Sequence, residues 1–375
     1  MANTVSTLEP RAQPAPRFLF VPVSGPYGMG EYARSLAIAR AASRRWPGAA
    51  IHFVLSREAQ YAADAPYPKT LLTSSPTFHS SAVIELLETW RPDVVIFDNA
   101  GRTAQLRAAR RLGARVVYIS ARRRQRRKAF RWRWMQLIDE HWIAYPEFIA
   151  GRLGFIERLK LKFAGRPTVR YLDVILSRAE PGQRGAVLSR PGCGAGTFVL
   201  VVPGAGTGHP GAHDAADRFM AAARTLAARG VPTVYVGPGA AAAEAEPNWH
   251  PQGPLPQAEL AELMHAARLI IANGGSTLLQ AIACGAACIA VPIAKDQAER
   301  IRRCAAAGAT LAAKLDAASI VQAASQLLQN EPQRAALAER ARQLGLADGV
   351  DVAIRALSDL VEPAHDRVEA GQDGT

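Results

Sequence analysis

Short unbroken apolar runs alternate along this chain with longer stretches in which apolar residues return every third or fourth position. An unbroken run is what a strand covered on both faces requires. The longer spacing is that of a helix with one apolar face. Their alternation predicts parallel α/β sheets. In the first half, strands are expected at Phe18–Val23, Ile51–Leu55, Val94–Phe97 and Arg115–Ile119, with helices at Glu31–Ser43, Ala82–Trp90 and Ala104–Leu112. A stretch rich in Gly, Pro, Ser and Arg, Ser177–Gly196, then breaks the pattern. The second half repeats it, with strands at Phe198–Val202, Thr233–Val236, Leu269–Ala272 and Cys288–Val291. Its helices are expected at Ala215–Arg229, Gln257–Ala267, Thr277–Cys284, Gln297–Ala307 and Ala317–Leu344, the last broken near Pro332. The expected organisation is a Rossmann-like domain over 17–180, a linker over 181–196 and a second Rossmann-like domain over 197–348. A helix over 349–361 crosses back to the first domain. Segments 1–16 and 362–375 read as disordered polar tails, the second one acidic. Two such domains imply parallel sheets facing across a cleft, with ligands beyond the carboxyl ends of the strands.

Composition narrows this only slightly. The chain has 375 residues, 49% hydrophobic and 21% charged, as in soluble globular proteins. A formal net charge of +13 favours anionic partners. No apolar run approaches the about 18 residues of a membrane-spanning helix, and the first residues lack the apolar core of a secretory signal. Cys193, Cys284, Cys288 and Cys304 read as small core residues without a disulfide framework, which points to a reducing cytoplasm.

The candidate chemistry sits where strands end. Pro203–Gly208 (with Gly204, Gly206 and Thr207), Gly237–Gly239, Asn273-Gly274-Gly275-Ser276-Thr277 and Pro292–Gln297 each follow a predicted strand. All four therefore belong on one rim. Glycine permits tight turns and close approach to a ligand, Ser or Thr caps the next helix, and a helix start attracts phosphate. Lys295 is placed to offset phosphate charge. Gln280, one turn after Ser276, is placed for a ribose hydroxyl, and Asp296 and Gln297 for sugar hydroxyls. His209 and His213 are spaced like a metal pair, but no third ligand is evident, so no metal is expected.

Met264–Ala309 resembles the C-terminal domain of two-domain glycosyltransferases of the GT-B fold. The pieces are Ala272-Asn-Gly-Gly-Ser-Thr277, Ala283-Cys-Gly285, Val291-Pro292, Asp296-Gln297 and Gly308-Ala309. The likeness is to family 28: the lipid-linked N-acetylglucosaminyltransferase of peptidoglycan synthesis and the UDP-sugar hydrolase of pseudaminic acid synthesis. It covers residues 197–312 well and the first half in outline. It implies a nucleotide sugar, UDP-linked, as co-substrate, with no other cofactor. Those transferases usually carry glutamate where this chain has Gln280, which loosens the preference for uridine.

Gly28-Met29-Gly30-Glu31-Tyr32-Ala33-Arg34 falls where both families carry Gly-x-Gly-His-x-x-Arg, with glutamate here in place of histidine. Kdo transferases of lipid A synthesis look similar in that respect. The resemblance makes Glu31 the general base that takes a proton from an acceptor hydroxyl. The plainer reading is a first-turn helix carboxylate favoured by the helix dipole. Arg34 either binds an anion or forms a structural ion pair. Asp98-Asn99, at a strand end, either contacts the acceptor or supports Glu31.

Arg122, Arg123, Arg124, Arg126, Arg127, Lys128, Arg131, Trp132, Arg133 and Trp134, together with Phe130, interleave basic and aromatic residues. Such a run is either a solvated helix face or a contact with an anionic membrane, where basic residues and tryptophan both favour the headgroup region. Stacking on single-stranded nucleic acid uses the same residue types and is the less favoured partner. The resulting expectation is an inverting, metal-independent glycosyltransferase in the cytoplasm, peripheral to the inner membrane face. Its acceptor is a hydroxyl on a lipid-linked or envelope glycan. The alternatives are a nucleotide-sugar hydrolase and a non-catalytic anion-binding protein that keeps the fold.

Overall fold

The computed structural model describes residues 15–26, 29–176, 185–204, 213–240 and 246–362. The first half builds a seven-stranded parallel sheet in the order β3-β2-β1-β4-β5-β6-β7. Its strands are β1 (Arg17–Pro22), β2 (Ala50–Ser56), β3 (Lys69–Leu72), β4 (Val94–Asp98), β5 (Arg115–Ser120), β6 (Glu140–Ile143) and β7 (Thr168–Tyr171). Its helices are α1 (Gly30–Arg45), α2 (Ser80–Trp90), α3 (Thr103–Arg111), α4 (Arg123–Ala129), α5 (Trp132–Met135), α6 (Glu147–Ala150) and α7 (Phe155–Ala164). The second half builds a six-stranded parallel sheet in the order β10-β9-β8-β11-β12-β13. Here the strands are β8 (Val199–Val202), β9 (Thr233–Val236), β10 (Trp249–Gln252), β11 (Leu269–Asn273), β12 (Cys288–Val291) and β13 (Leu311–Ala312). The helices are α8 (Ala215–Ala228), α9 (Gln257–Ala266), α10 (Ser276–Ala283), α11 (Lys295–Ala306), α12 (Ala317–Gln329), α13 (Glu331–Gln343) and α14 (Gly349–Val361).

The expected two parallel-sheet α/β domains are present. The central strands β1, β4, β8, β11 and β12 are almost wholly apolar and buried on both faces. Parallel sheets demand this, because crossover helices cover each side. The expected break near Pro332 lies at Asn330, whose side chain accepts from the Gln333 amide to start α13, with Pro332 in its first turn. Strands β3, β6, β7, β10 and β13 and helices α4 to α7 add to the elements expected from the pattern.

Two features fix how the halves join. Ala353, Ala356 and Leu357 of α14 complete the same core as Ile38, Ala39 and Ala42 of α1, so α14 and α1 together cover one face of the first sheet. Glu362 is held there by Arg45 and Trp46 at 2.8 and 3.1 Å. The two crossings between halves run side by side: Gly349 N–H donates to Val174 C=O at 2.6 Å and Ala347 N–H to Asp173 Oδ2 at 3.1 Å. Of the expected linker and its flank, residues 177–184 lie outside the described residues. Val187 and Cys193 beyond them are fully buried in the second core, so this stretch is packed against that domain. All four cysteines are free.

Candidate functional site

Parallel register places the functional ends of the first sheet together. Phe18–Pro22 pairs with Val94–Asp98, and Asp98 pairs with Ile119, so Pro22, Asp98 and Ser120 end on one rim. The chain re-enters α1 just after β1, which puts Glu31 in the first turn and Arg34 one turn on, both beside the end of β4. Asp98 is fully buried and takes Arg34 in a two-point contact, Nε at 2.8 Å and Nη2 at 2.6 Å. Of the two readings of Arg34, the structure shows the ion pair. Against the desolvation that works to lower it, the Asp98 charge and hydrogen bond hold the Arg34 guanidinium above its ordinary value. Burial pushes the Asp98 carboxyl up to about 6, with Arg34 opposing.

Asn99, next along, has φ of 53°. Asn tolerates this left-handed conformation, and it turns the side chain across the rim. Its Nδ2 donates to Glu31 Oε1 at 2.8 Å and its Oδ1 accepts from Ala121 N–H at 2.8 Å. Three strand ends, β1 through α1, β4 and β5, thus converge on one half-buried carboxylate. Tyr61, stacked on Tyr32 at 4.2 Å, lies near enough that burial first, then the Glu31 charge, raise its phenol above the usual value. Gly30 opens α1 and is exposed; Gly28 lies outside the described residues.

On the second sheet, Asn273 ends β11 and organises the turn that follows. Its Nδ2 donates to Pro203 C=O at 2.9 Å, and its Oδ1 accepts Gly275 N–H at 2.6 Å. Gly274 N–H donates to Val291 C=O at 3.0 Å. These two amides are committed within the turn. The donors left by the start of α10 are the next amides, at Ser276 and Thr277, which have no acceptor inside the helix. Ser276 is exposed and Thr277 buried. The glycines are needed here for proximity: a Cβ on Gly274 would lie 2.6 Å from Ile301, and one on Gly275 would lie 2.5 Å from Asn273 Oδ1. Gly204, at φ +103°, approaches Asn273 equally closely, and Gly237 sits over Pro203. Gly206, Thr207 and His209 lie outside the described residues.

Lys295 and Asp296 are exposed at the start of α11. Gln297 is buried and its Oε1 accepts Ile293 N–H at 2.9 Å, so it shapes the loop. Gln280 is also turned inward. Its Nε2 donates to Ile175 C=O at 3.1 Å and Gln257 Oε1 at 2.8 Å, so that amide group ties α10 to the inter-domain crossing. Among the described residues, no group of three or more His, Cys, Asp or Glu side chains is placed to hold a metal.

Arg300, which the pattern did not single out, joins the two rims. It is buried, donates through Nη1 to Gly274 C=O at 2.6 Å, and donates through Nη2 to Tyr145 Oη at 3.3 Å and Asp296 Oδ2 at 3.1 Å. Its guanidinium stacks over the Tyr145 ring at 4.6 Å. Tyr145 follows β6 in the first half. The only local signal was the Asp296–Arg300 spacing of one helical turn.

The basic run divides in two. Arg126 is buried, pairs with Glu157 at 2.6 Å and donates to three carbonyls, Ala150, Gly151 and Arg152, so it is a structural clip. Lys128 donates to Gly101 C=O at 3.0 Å and sits over the Trp134 ring; burial pushes its amine down to about 8. Trp134 and Phe130 are core residues, Trp134 donating to Thr103. These four do not form a contact surface. Arg122, Arg123, Arg124, Arg127, Arg131, Trp132 and Arg133 are exposed.

Residues 239–344 match the family described as Glycosyl transferases group 1. No curated protein matches the chain. Solved structures of similar shape span nearly all of it. The calicheamicin glycosyltransferase CalG4 is 17% identical, with a TM-score of 0.59 over 93% of this chain and 100% of its own. The spinosyn rhamnosyltransferase SpnG complexed with thymidine diphosphate is 17% identical, with a TM-score of 0.58 over 91% of this chain and 100% of its own. A putative UDP-N-acetylglucosamine 2-epimerase from Listeria monocytogenes is 15% identical, with a TM-score of 0.57 over 93% of this chain and 97% of its own. At such identities the likeness speaks for the fold, and the narrower resemblance to family 28 rests on the quoted motifs alone. The chain has the GT-B fold, and residues 239–344 within its second domain match the model of group 1 glycosyl transferases.

Proposed function

We propose that this protein is an inverting glycosyltransferase that moves a sugar from a nucleotide sugar, UDP-linked by its motif, to a hydroxyl acceptor on a lipid-linked or envelope glycan, without a metal. One observation carries the reading: Glu31, oriented by Asn99, stands on one rim, while the start of α10 stands on the other, and Arg300 with Tyr145 joins them. In this mechanism Glu31 takes the acceptor proton as the hydroxyl oxygen attacks the anomeric carbon. The bond from that carbon to the diphosphate oxygen breaks on the opposite face. The diphosphate leaves toward the Ser276 and Thr277 amides and Lys295, which offset its growing charge. Asn99 donates to the carboxylate and so sets which oxygen faces the acceptor. In support, SpnG has been solved with thymidine diphosphate and with spinosyn aglycone.

Glu31→Gln keeps the shape and removes the base. Transfer should fall roughly 10²- to 10⁴-fold while nucleotide affinity holds; transfer near the wild-type rate would remove Glu31 from this role. The epimerase among the neighbours motivates a second reading, in which the nucleotide sugar reacts without a hydroxyl acceptor. Stoichiometric release of free sugar from UDP-sugars with no acceptor present would favour hydrolysis. A thermal-shift comparison of UDP, TDP, GDP and CMP identifies the base, since the tightest ligand raises apparent stability most.

A further inference from the structure

Helix α7 contributes no buried side chain. Phe155, Ile156, Leu159 and Phe163 are 71, 67, 40 and 73% exposed. At about 100° per residue, these four fall within an arc of about 100° on one side of the helix. The same geometry puts Arg158 and Lys162 along one border of that stripe and Lys160 along the other. The far side and this second border anchor the helix. Glu157 takes Arg126 and the Gly154 amide, and Lys160 donates to Phe130 C=O at 3.0 Å. Trp132, 50% exposed and close to Lys160, adds to the apolar surface. Around it, residues 122–133 present six exposed arginines, Arg122, Arg123, Arg124, Arg127, Arg131 and Arg133, and no Asp or Glu.

We propose that α7 and Trp132 form a docking surface for an anionic lipid bilayer, with the stripe set among the headgroups and the cations on lipid phosphates. Charge complementarity decides the occupant. A second copy would bring the same positive field against itself, whereas an anionic bilayer offers opposite charge and an apolar layer together. An apolar helix face flanked by basic residues lies in the plane of such an interface, and tryptophan favours it. The surface adjoins the first rim, because α4 begins just after Ala121, whose amide Asn99 accepts. Docking does not depend on the transferase reading and is measured without it.

The test is flotation of the full-length protein with vesicles of phosphatidylcholine alone or mixed equally with phosphatidylglycerol. Binding is expected only to the anionic vesicles. Phe155→Ser/Phe163→Ser, at exposed positions, should lower partitioning at least about tenfold with the thermal midpoint unchanged. Arg123→Glu/Arg124→Glu should also weaken it and leave the remainder less sensitive to salt. Failure of the wild type to float, or equal flotation of the Phe155→Ser/Phe163→Ser variant, overturns the proposal. So does a wild-type dimer in sedimentation that this variant dissolves, or retention of a single-stranded oligonucleotide in preference to anionic vesicles. Loss of transfer by Glu31→Gln with unchanged flotation would separate the two readings.

Discussion

Truncating Asp98 to alanine leaves the Arg34 guanidinium buried without its paired carboxylate. The pair is sealed, its side chains only 9 and 0% exposed, so solvent does not screen it. Breaking such a buried pair by removing one partner costs about 3–5 kcal/mol, most of it the penalty on the charge left behind. At about 2–4 °C per kcal/mol for a domain of this size, the first domain should melt about 6–20 °C lower. Calorimetry well above pH 6, where Asp98 is ionised, reads the shift. The double variant Asp98→Ala/Arg34→Met removes both charges and should recover at least half of the loss. Asp98→Ala should also reduce transfer, because the end of β4 carries Asn99 and so orients Glu31. A double variant no more stable than the single one would refute the argument, since the damage would then come from lost volume.

Three further outcomes are expected. His141 is buried beside Ser120, and desolvation pushes its imidazole down to about 3 from 6.5; the unfolded chain binds a proton below pH 6.5 that the folded chain refuses, so this stability is complete above 6.5 and lost as pH falls. At pH 5 the loss is about 2 kcal/mol, and His141→Gln should flatten the denaturation profile between pH 6.5 and 4.5; an unchanged slope would count against it. A Cβ at Gly349 would stand 2.1 Å from Leu172 C=O, so Gly349→Ala should cost about 1–3 kcal/mol by thermal unfolding, and a neutral result would mean that the crossing shifts freely. Arg300→Lys keeps the charge but cannot reach Gly274 and Tyr145 with one fork; UDP affinity by calorimetry should weaken about tenfold, roughly 1.4 kcal/mol, and unchanged binding would detach this residue from the nucleotide side.

The strands that carry the site were legible because each is an unbroken apolar run ended by a turn signal: Leu269–Ala272 before Asn273-Gly274-Gly275, and Val94–Phe97 before Asp98-Asn99. β6 was hidden because Glu140 and His141 interrupt its run. Their burial makes sense only beside Arg170 and Ser120, contacts between strands that local pattern cannot reveal. Edge strands β3, β10 and β13 are short and lack the covered faces that produce the signal. Side-chain roles were harder still. Arg126 resembles its exposed neighbours in sequence, yet it meets Glu157, 31 positions away. Gln280 is claimed by a carbonyl 105 positions away, and Arg300 by Tyr145, 155 away. Such long-range partners decide whether a polar group faces ligand or protein.

The placement of α14 has a consequence for biogenesis. During synthesis, the amino-terminal sheet emerges with one side covered only in part, by α1, and the helix that completes the cover follows the whole second domain. The amino-terminal half should therefore stay protease-sensitive until α14 has emerged, and expressed alone it should aggregate. A circular permutant that joins α14 ahead of β1 would supply the cover first and make that half soluble on its own.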